Sequence, residues 1–166
     1  MTSKSSLVIG HGRLHRLLSS IDYELSTFID RDAFCEPDIV IDLRRDKLYL
    51  AQSFDEVIFV GSEGMLYIDM DDNYRYLIDE PTKKAIVGPV HYEILNSLYD
   101  HLKPGGTLWI NNFYYSGRLS ETPTREEIIL VNREFVKDMQ THTKFIIDRR
   151  EHRKDIQTHT KFVFRK

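Results

Sequence analysis

The residue types best suited to chemistry in this sequence are glycines and aspartates that follow short apolar runs. Gly10-His11-Gly12 comes directly after Leu7-Val8-Ile9, and Asp30 follows Gly10 by twenty residues. A glycine turn before a helix leaves backbone N–H groups unpaired and lets a ligand approach the main chain. An acidic residue about 20 positions later, at the end of the next strand, accepts hydrogen bonds from ribose hydroxyls in nucleotide-binding folds. The spacing therefore predicts a site for a ligand that contains a ribose.

Alternating strand and helix patterns predict the framework that positions these residues. Apolar residues recur with helical periodicity over 14–21, directly after the glycine turn. A second helix is predicted over 91–102, ended by Pro104-Gly105-Gly106, and a third begins at the capping box of Thr124 and Glu127. Such alternation favours a mostly parallel sheet with helices on both faces. The predicted strands are 7–9, 25–29, 39–41, 57–60 and 107–110.

Two segments depart from this regular alternation. Residues 62–90 form a long insert in which apolar residues alternate over 66–70 and 74–78 around Asp71-Asp72-Asn73, a pattern typical of a β-hairpin. Residues 33–35, by contrast, leave almost no room for a helix between the second and third strands.

The C-terminal part contains an internal repeat. The segment 137–145 recurs with one change as 154–162, seventeen positions later. Two copies are too few for a solenoid. The apolar residues 145–147 and 162–164 are expected to pair as antiparallel strands that complete the sheet, joined by a polar turn over 148–155.

The composition is that of an ordinary globular chain. Its 166 residues suit a single domain over 1–166, and its charge of −3 gives no global attraction to nucleic acid. Cys35 is the only cysteine, which excludes an intrachain disulfide. No segment reads as a signal peptide or as the roughly 20 apolar residues that span a bilayer. A cytoplasmic location without a membrane partner is therefore expected.

Several segments, in this order and spacing, resemble a known family. They are Gly10-His11-Gly12 with Asp30, the Asp-terminated strand 37–42, the Phe-Asp-x-Val-Ile segment 54–58, and the loop 102–108 around Pro104-Gly105-Gly106. Together they resemble the cofactor-binding half of the class I S-adenosylmethionine-dependent methyltransferases, over roughly Leu7 to Ile110.

The resemblance implies a fold, a cofactor and a set of contacts. The fold is a Rossmann-like, doubly wound α/β sheet of seven strands in the order 3-2-1-4-5-7-6, with strand 7 antiparallel. The cofactor is S-adenosylmethionine, and no metal is required. By the family pattern, Asp30 binds the ribose, Asp42 holds the adenine amino group and Leu43 packs on the ring. The residues expected to bind the cofactor are Gly10, His11, Gly12, Asp30, Asp42, Leu43 and Gly61.

The acceptor side of the site is only weakly specified. Methyl transfer from a sulfonium is an in-line displacement, in which the enzyme aligns donor and acceptor and supplies a general base where the acceptor needs one. Glu63, His91 and Tyr114 are candidate catalytic residues, and an ordinary polar role in a loop is the competing interpretation for each. The sequence leaves open whether the acceptor is a small molecule or a macromolecule, and whether a partner protein completes the site.

Two alternative functions remain open. One is a binding or regulatory protein that keeps the fold without catalysis, which is favoured by Val8 and Leu14 standing where the family has an acidic residue and a third glycine. The other is a NAD-dependent oxidoreductase, because the glycine turn with Asp30 also suits NAD. His15, however, occupies the position where that fingerprint has glycine or alanine.

Three further patterns indicate ligands only weakly. Residues 69–80 have a partial calcium-loop spacing, but Tyr74 stands where the loop requires glycine. His142 and His159 of the repeat do not by themselves form a zinc site. The basic stretch 149–154 could contact the phosphates of a nucleic acid, although a solvated turn is the simpler interpretation.

Overall fold

A seven-stranded sheet is the framework of the molecule. The computed structural model describes residues 3–10, 12, 20–66, 90–112, 122–153 and 160–166, together with the backbone of 77–79 and 84–86. The strands are β1 Ser6–Ile9, β2 Thr27–Asp30, β3 Ile39–Val40, β4 Phe54–Phe59, β5 Leu77–Asp79, β6 Lys84–Ile86, β7 Leu102–Ile110, β8 Ile146–His152 and β9 Thr160–Arg165. β5 and β6 pair with each other in an antiparallel hairpin, and the other strands form the main sheet.

The order of the main sheet is β3-β2-β1-β4-β7-β9-β8. The first five of these pair in parallel, whereas β9 runs antiparallel to both β7 and β8. When only the main-sheet strands are numbered along the chain, the order is 3-2-1-4-5-7-6, and strand 7, which is β9, is antiparallel to its neighbours. The predicted α/β fold class and strand order are therefore confirmed.

Within the described part of the chain, two helices cover one face of the sheet. They are α1 Tyr92–Asp100 and α2 Arg125–His142, and Thr124 Oγ1 caps α2 by accepting a hydrogen bond from the Glu127 amide at 3.2 Å. The side chains of β4 point alternately to the two faces of the sheet, and both faces are buried. Val57 and Phe59 point into the helix-covered core. Neither of these described helices is long and apolar enough to cross a membrane.

The opposite face carries a smaller apolar cluster centred on Trp109. The guanidinium groups of Arg149 and Arg153 lie 5.4 and 4.7 Å from the Trp109 ring centroid, and Arg153 also pairs with the buried Glu56 at 3.3 Å. Most of the helix predicted over 14–21 lies outside the described residues, which resume at residue 20. Ile21, the last residue of that prediction, is buried in this cluster. The cluster consists of Val8, Ile21, Phe28, Ile58, Val60, Trp109 and Val163.

The predicted end of α1 is wrong by two residues. The helix ends at Asp100 rather than at residue 102. Leu102 is already the first residue of β7 and pairs with Phe54 of β4. Pro104-Gly105-Gly106 lies inside β7 and not in a helix-ending loop. The pairing of β7 with β4 shifts in register between Phe54 and Glu56, which shows that these three residues form a bulge. Gly105, at φ +78°, supplies the left-handed conformation of this bulge.

The predicted C-terminal strand pair is confirmed, but its turn is wrong. β8 continues to His152, so most of the polar segment 148–155 is strand rather than turn, and Arg149 and Arg150 pair with Val163 and Phe162 of β9. Charged side chains are compatible with β8 because it is an edge strand with exposed residues.

The insert 62–90 contains a hairpin at a different place from the predicted one. Leu66 belongs to a 3-10 turn, Glu63–Leu66, rather than to a strand, and it is fully buried. The observed hairpin joins 77–79 to 84–86, while the predicted turn at Asp71-Asp72-Asn73 lies outside the described residues. The expected shortage of helix at 33–35 is confirmed, since this segment is one 3-10 turn, Ala33–Cys35.

Candidate functional site

A cleft of about 510 Å³ opens at the carboxyl ends of the four adjacent parallel strands β1 to β4. This is the edge at which open α/β sheets bind their ligands, and the volume lies within the roughly 300–1,000 Å³ typical of small-molecule sites. The lining residues are Ile9, Gly10, Gly12, Ile29, Asp30, Arg31, Asp32, Cys35, Ile41, Asp42, Leu43, Arg44, Gly61, Ser62 and Met65.

The two glycines of the first turn serve different purposes. Both have left-handed backbones, with φ +66° at Gly10 and +60° at Gly12. A Cβ on Gly10 would lie 2.2 Å from the Cβ of Ser62, so Gly10 allows the ends of β1 and β4 to approach. A Cβ on Gly12 would meet no atom of the described residues within 4 Å, so these residues leave open space beside Gly12.

The amides of these glycines are paired within the protein. The Gly10 N–H donates to the Ile29 carbonyl at 3.0 Å, and the Gly12 N–H donates to Asp30 Oδ2 at 3.2 Å. The expectation that they are unpaired donors is wrong at these two positions, because β2 lies close enough to satisfy both. His11 lies outside the described residues.

Asp30 links the glycine turn to the loop after β2. Its Oδ2 accepts from Gly12, and its Oδ1 accepts from the Asp32 amide at 3.0 Å. A carboxylate has about four acceptor positions. Each oxygen of Asp30 therefore keeps one position for a further donor, which suits a pair of neighbouring hydroxyl groups.

Asp42 is held by the arginine two residues later. Its Oδ1 accepts from the Arg44 amide at 3.1 Å and from Arg44 Nε at 3.3 Å, and its Oδ2 accepts from Arg44 Nη2 at 3.4 Å. Burial alone would raise the pKa of Asp42, but the hydrogen bonds and charge of Arg44 outweigh burial and lower that pKa. The adjacent Leu43 is 9% exposed and gives the cleft an apolar wall.

The loop after β4 forms the remaining wall. Gly61 has a left-handed backbone, φ +71°, which turns the chain directly after Val60. Ser62 Oγ then donates to the Ile9 carbonyl at 3.1 Å, and this bond fixes the loop against the end of β1.

Glu63 is a structural anchor rather than a free base. Its Oε1 accepts from the Asn111 amide at 2.9 Å and lies 3.4 Å from Lys161 Nζ, which also donates to the Phe59 carbonyl at 2.6 Å. Burial lowers the pKa of Lys161, and the charge of Glu63 partly offsets this. Glu63 is 7% exposed and joins the ends of β4, β7 and β9.

The other two acceptor-side candidates receive little support from position. His91 precedes α1, and its Nδ1 lies 2.8 Å from Glu93 Oε1. Like Glu63, it is not among the residues that line the cleft. Tyr114 lies outside the described residues. Asp55 lies at the start of β4 and is bonded there to Ser5 and Lys103.

The cleft thus gathers every described residue that the sequence assigned to the cofactor. Apart from the strand residues Ile9, Ile29 and Ile41, the cleft has six lining residues that sequence reasoning did not assign to it, although most of them adjoin a predicted site residue at a strand end, which is the available signal. Among the described residues, no group of three or more His, Cys, Asp or Glu side chains is placed to hold a metal ion. The missed residues are Arg31, Asp32, Cys35, Arg44, Ser62 and Met65.

Comparison by sequence finds no protein family that matches the chain, and no curated protein matches it. Comparison with solved structures does find similar folds. The N-methyltransferase NodS from Bradyrhizobium japonicum WM9, in complex with S-adenosyl-L-homocysteine, aligns with a TM-score of 0.53 at 11% identity over 98% of this chain and 78% of NodS. A second NodS structure gives 0.51 at 14% identity, over 98% of this chain and 86% of NodS.

The mitomycin 7-O-methyltransferase MmcR has a similar fold. It aligns with a TM-score of 0.55 at 15% identity over 99% of this chain and 49% of MmcR, so this chain spans about half the length of that enzyme. At such identities the similarity concerns the fold. Together with the strand order, it shows that this chain has the Rossmann-like fold of the class I S-adenosylmethionine-dependent methyltransferases.

Proposed function

We propose that this protein binds S-adenosylmethionine in the cleft and transfers its methyl group to an acceptor that is still to be identified. The observation that carries the proposal is the joint placement of Asp30, Asp42 and Leu43 at neighbouring strand ends of one cleft, in a sheet with the methyltransferase strand order. NodS, which shares this fold, was crystallised with S-adenosyl-L-homocysteine.

The residues present fit such a cofactor at its adenosine end. The two remaining acceptor positions of Asp30 suit the ribose hydroxyls. The Asp42 carboxylate suits the adenine amino group, and Leu43 offers an apolar surface to the ring. The amino-acid end would extend towards Gly61 and Ser62, which line the same cleft.

The chemistry required of this chain is mainly alignment. When bound, S-adenosylmethionine supplies an electrophilic methyl group on its sulfonium, and the departing sulfur keeps the electron pair as a thioether. The acceptor must lie in line with the carbon–sulfur bond. The described part of the 62–90 insert continues from the cleft wall at Ser62 and Met65, which makes the insert a candidate for contacting the acceptor.

A protein that binds through this fold without catalysis is the second candidate. Two observations favour it: Val8 is fully buried where the family has an acidic residue, and the Gly10 and Gly12 amides are already paired. The oxidoreductase alternative is disfavoured, because dinucleotide-binding sheets of order 3-2-1-4-5-6 lack the antiparallel strand inserted here before β8.

Asp30→Ala tests the ribose contact. Removing the carboxylate should weaken binding of S-adenosylhomocysteine by about 1.5–3 kcal/mol, the range for hydrogen bonds to a charged group, as measured by calorimetric titration. Asp38→Ala is a matched control, because Asp38 Oδ2 accepts the Phe28 amide at 2.7 Å but does not line the cleft. Unchanged affinity in a folded Asp30→Ala protein would refute the assigned role.

A further inference from the structure

Arg44 and Asp42 form a closely held pair in the wall of the cleft. Arg44 bonds to both oxygens of the carboxylate through Nε and Nη2, at 3.3 and 3.4 Å, and its own amide adds a third bond to Oδ1. The two side chains are only 11% and 17% exposed. A planar guanidinium that bonds along both oxygens fixes the plane of a carboxylate, which a lysine cannot do in the same way.

The number of bonds on each oxygen decides what Asp42 can still accept. Oδ1 already receives two donors, which fills its two acceptor positions, whereas Oδ2 receives one hydrogen bond. Arg45 Nε approaches Oδ2 only to 3.8 Å, from a side chain that is 72% exposed. Asp42 therefore keeps a single acceptor position, on Oδ2, with its direction set by Arg44.

We infer that Arg44 is a positioning residue for purine recognition, which orients Asp42 so that its one remaining acceptor position selects a 6-amino purine. This inference rests on the proposed function, since it concerns the base of the same cofactor. An amino group at position 6 donates to Oδ2, whereas a 6-oxo group presents an acceptor to a carboxylate and is repelled. Arg44 acts through Asp42 and needs no contact with the ligand.

The role predicts a change in selectivity rather than a general loss of binding. Arg44→Lys keeps the positive charge but loses the paired hydrogen bonds to the two oxygens of Asp42. Arg44→Gln loses both the charge and these paired bonds. Each should weaken S-adenosylhomocysteine about three- to tenfold, the loss expected for one poorly aligned hydrogen bond. S-inosylhomocysteine, which carries the 6-oxo group, should bind with unchanged or slightly better affinity.

The experiment is a calorimetric titration of wild type, Arg44→Lys, Arg44→Gln and Arg45→Gln with both compounds, after thermal unfolding has shown which variants fold. Arg45→Gln is the matched control, because it removes an exposed neighbour of the same carboxylate and should leave the affinity ratio of the two compounds unchanged. The inference is supported if that ratio falls in the Arg44 variants alone.

Other outcomes overturn the inference in distinguishable ways. If wild type binds S-adenosylhomocysteine but the Arg44 variants lose both compounds equally, lose neither, or bind more tightly, only the role of Arg44 fails. If wild type and all variants bind neither compound, the proposed function fails as well.

A second measurement on wild type needs no variant. This measurement is a carboxyl NMR titration of Asp42. The charged groups around Asp42 are Arg44 and Arg45 on its own turn and Arg31 at the end of β2, and the cleft also contains Asp30 and Asp32. A carboxyl that stays ionised below the usual aspartate range supports the paired hydrogen bonds from Arg44 in solution. An ordinary titration would overturn it even if every Arg44 variant failed to fold.

Discussion

Gly10 packs against Ser62 with no space for a side chain, and this contact makes a sharp residue-scale prediction. Gly12→Ala should cost only the strain of a left-handed backbone, about 1–2 kcal/mol. Gly10→Ala should cost more, by about 1–3 kcal/mol for overpacking, since its Cβ would lie 2.2 Å from the Ser62 Cβ. Urea unfolding measures both, and Ser62→Gly should restore most of the excess. Equal losses in the two alanine variants would contradict the account.

The residues of the site were predictable to different extents. Asp30 and Asp42 each end an apolar run, so their place at the carboxyl edge of the sheet follows from the sequence alone. Arg44 and Ser62 only adjoin predicted positions, and nothing in the sequence identifies the groups that they bond. Their roles depend on a two-residue turn and on the approach of β1 to β4, which only the folded chain brings about.

At the scale of elements, Asp55 joins the starts of three strands. Its Oδ2 accepts from the Ser5 amide at 2.8 Å and from Ser5 Oγ, and Lys103 Nζ lies 3.2 Å away. The backbone hydrogen bond from Ser5 is the largest influence on the pKa of Asp55, and together with the Lys103 contact it lowers that pKa despite burial. A carboxyl with a lowered pKa in the folded state stabilises the fold above its unfolded pKa and loses this contribution as pH falls.

Asp55→Asn should therefore destabilise the protein most at neutral pH. The gap in unfolding free energy between wild type and variant should narrow as pH falls below about 3.8, the ordinary aspartate value. Urea unfolding at a series of pH values measures this gap. A gap that does not change with pH would show that the ionised carboxyl is not what joins these strands.

The insert after β4 returns to the point where it leaves the core. The His91 amide donates to the Leu66 carbonyl at 2.7 Å, and Leu66 itself is fully buried. Residues 67–89 can therefore be replaced by a short glycine–serine linker without breaking this bond. The excised protein should fold and bind S-adenosylhomocysteine as before.

Methyl transfer should be lost in the excised protein if the insert contacts the acceptor, as radioactive methyl incorporation in an acceptor screen would measure. A variant with residues 67–89 in scrambled order is the matched control, because it keeps the length and composition of the insert. Lost cofactor binding in the excised protein would instead assign the insert to the cofactor pocket.

Element boundaries were the weakest part of the sequence-based prediction, for physical reasons. Pro104-Gly105-Gly106 is typical of a loop, yet a bulge lets β7 pair across it. The charged residues of β8 look like a turn, yet pairing with the apolar β9 holds them in an edge strand. In both cases tertiary pairing outweighs local propensity.

At the scale of the whole molecule, the strand order was predictable because the family pattern carries it. The parallel strands follow from buried apolar runs separated by helical segments, and the C-terminal repeat supplies the antiparallel partner. The acceptor was not predictable, because no acceptor motif appears in the sequence. Of the three candidate bases, Glu63 is engaged by Lys161 and Asn111, and Tyr114 lies outside the described residues.

If the cleft binds the adenosyl cofactor, calorimetric titration of the full chain will detect that binding without any variant or acceptor. Wild type should bind S-adenosylmethionine and S-adenosylhomocysteine with micromolar affinity, about −8 kcal/mol, and should not bind NAD. If the protein binds NAD but neither S-adenosylmethionine nor S-adenosylhomocysteine, the proposed function is contradicted. Absence of binding to all three, in a protein shown to be folded, would contradict it too and favour a fold that has lost its cofactor.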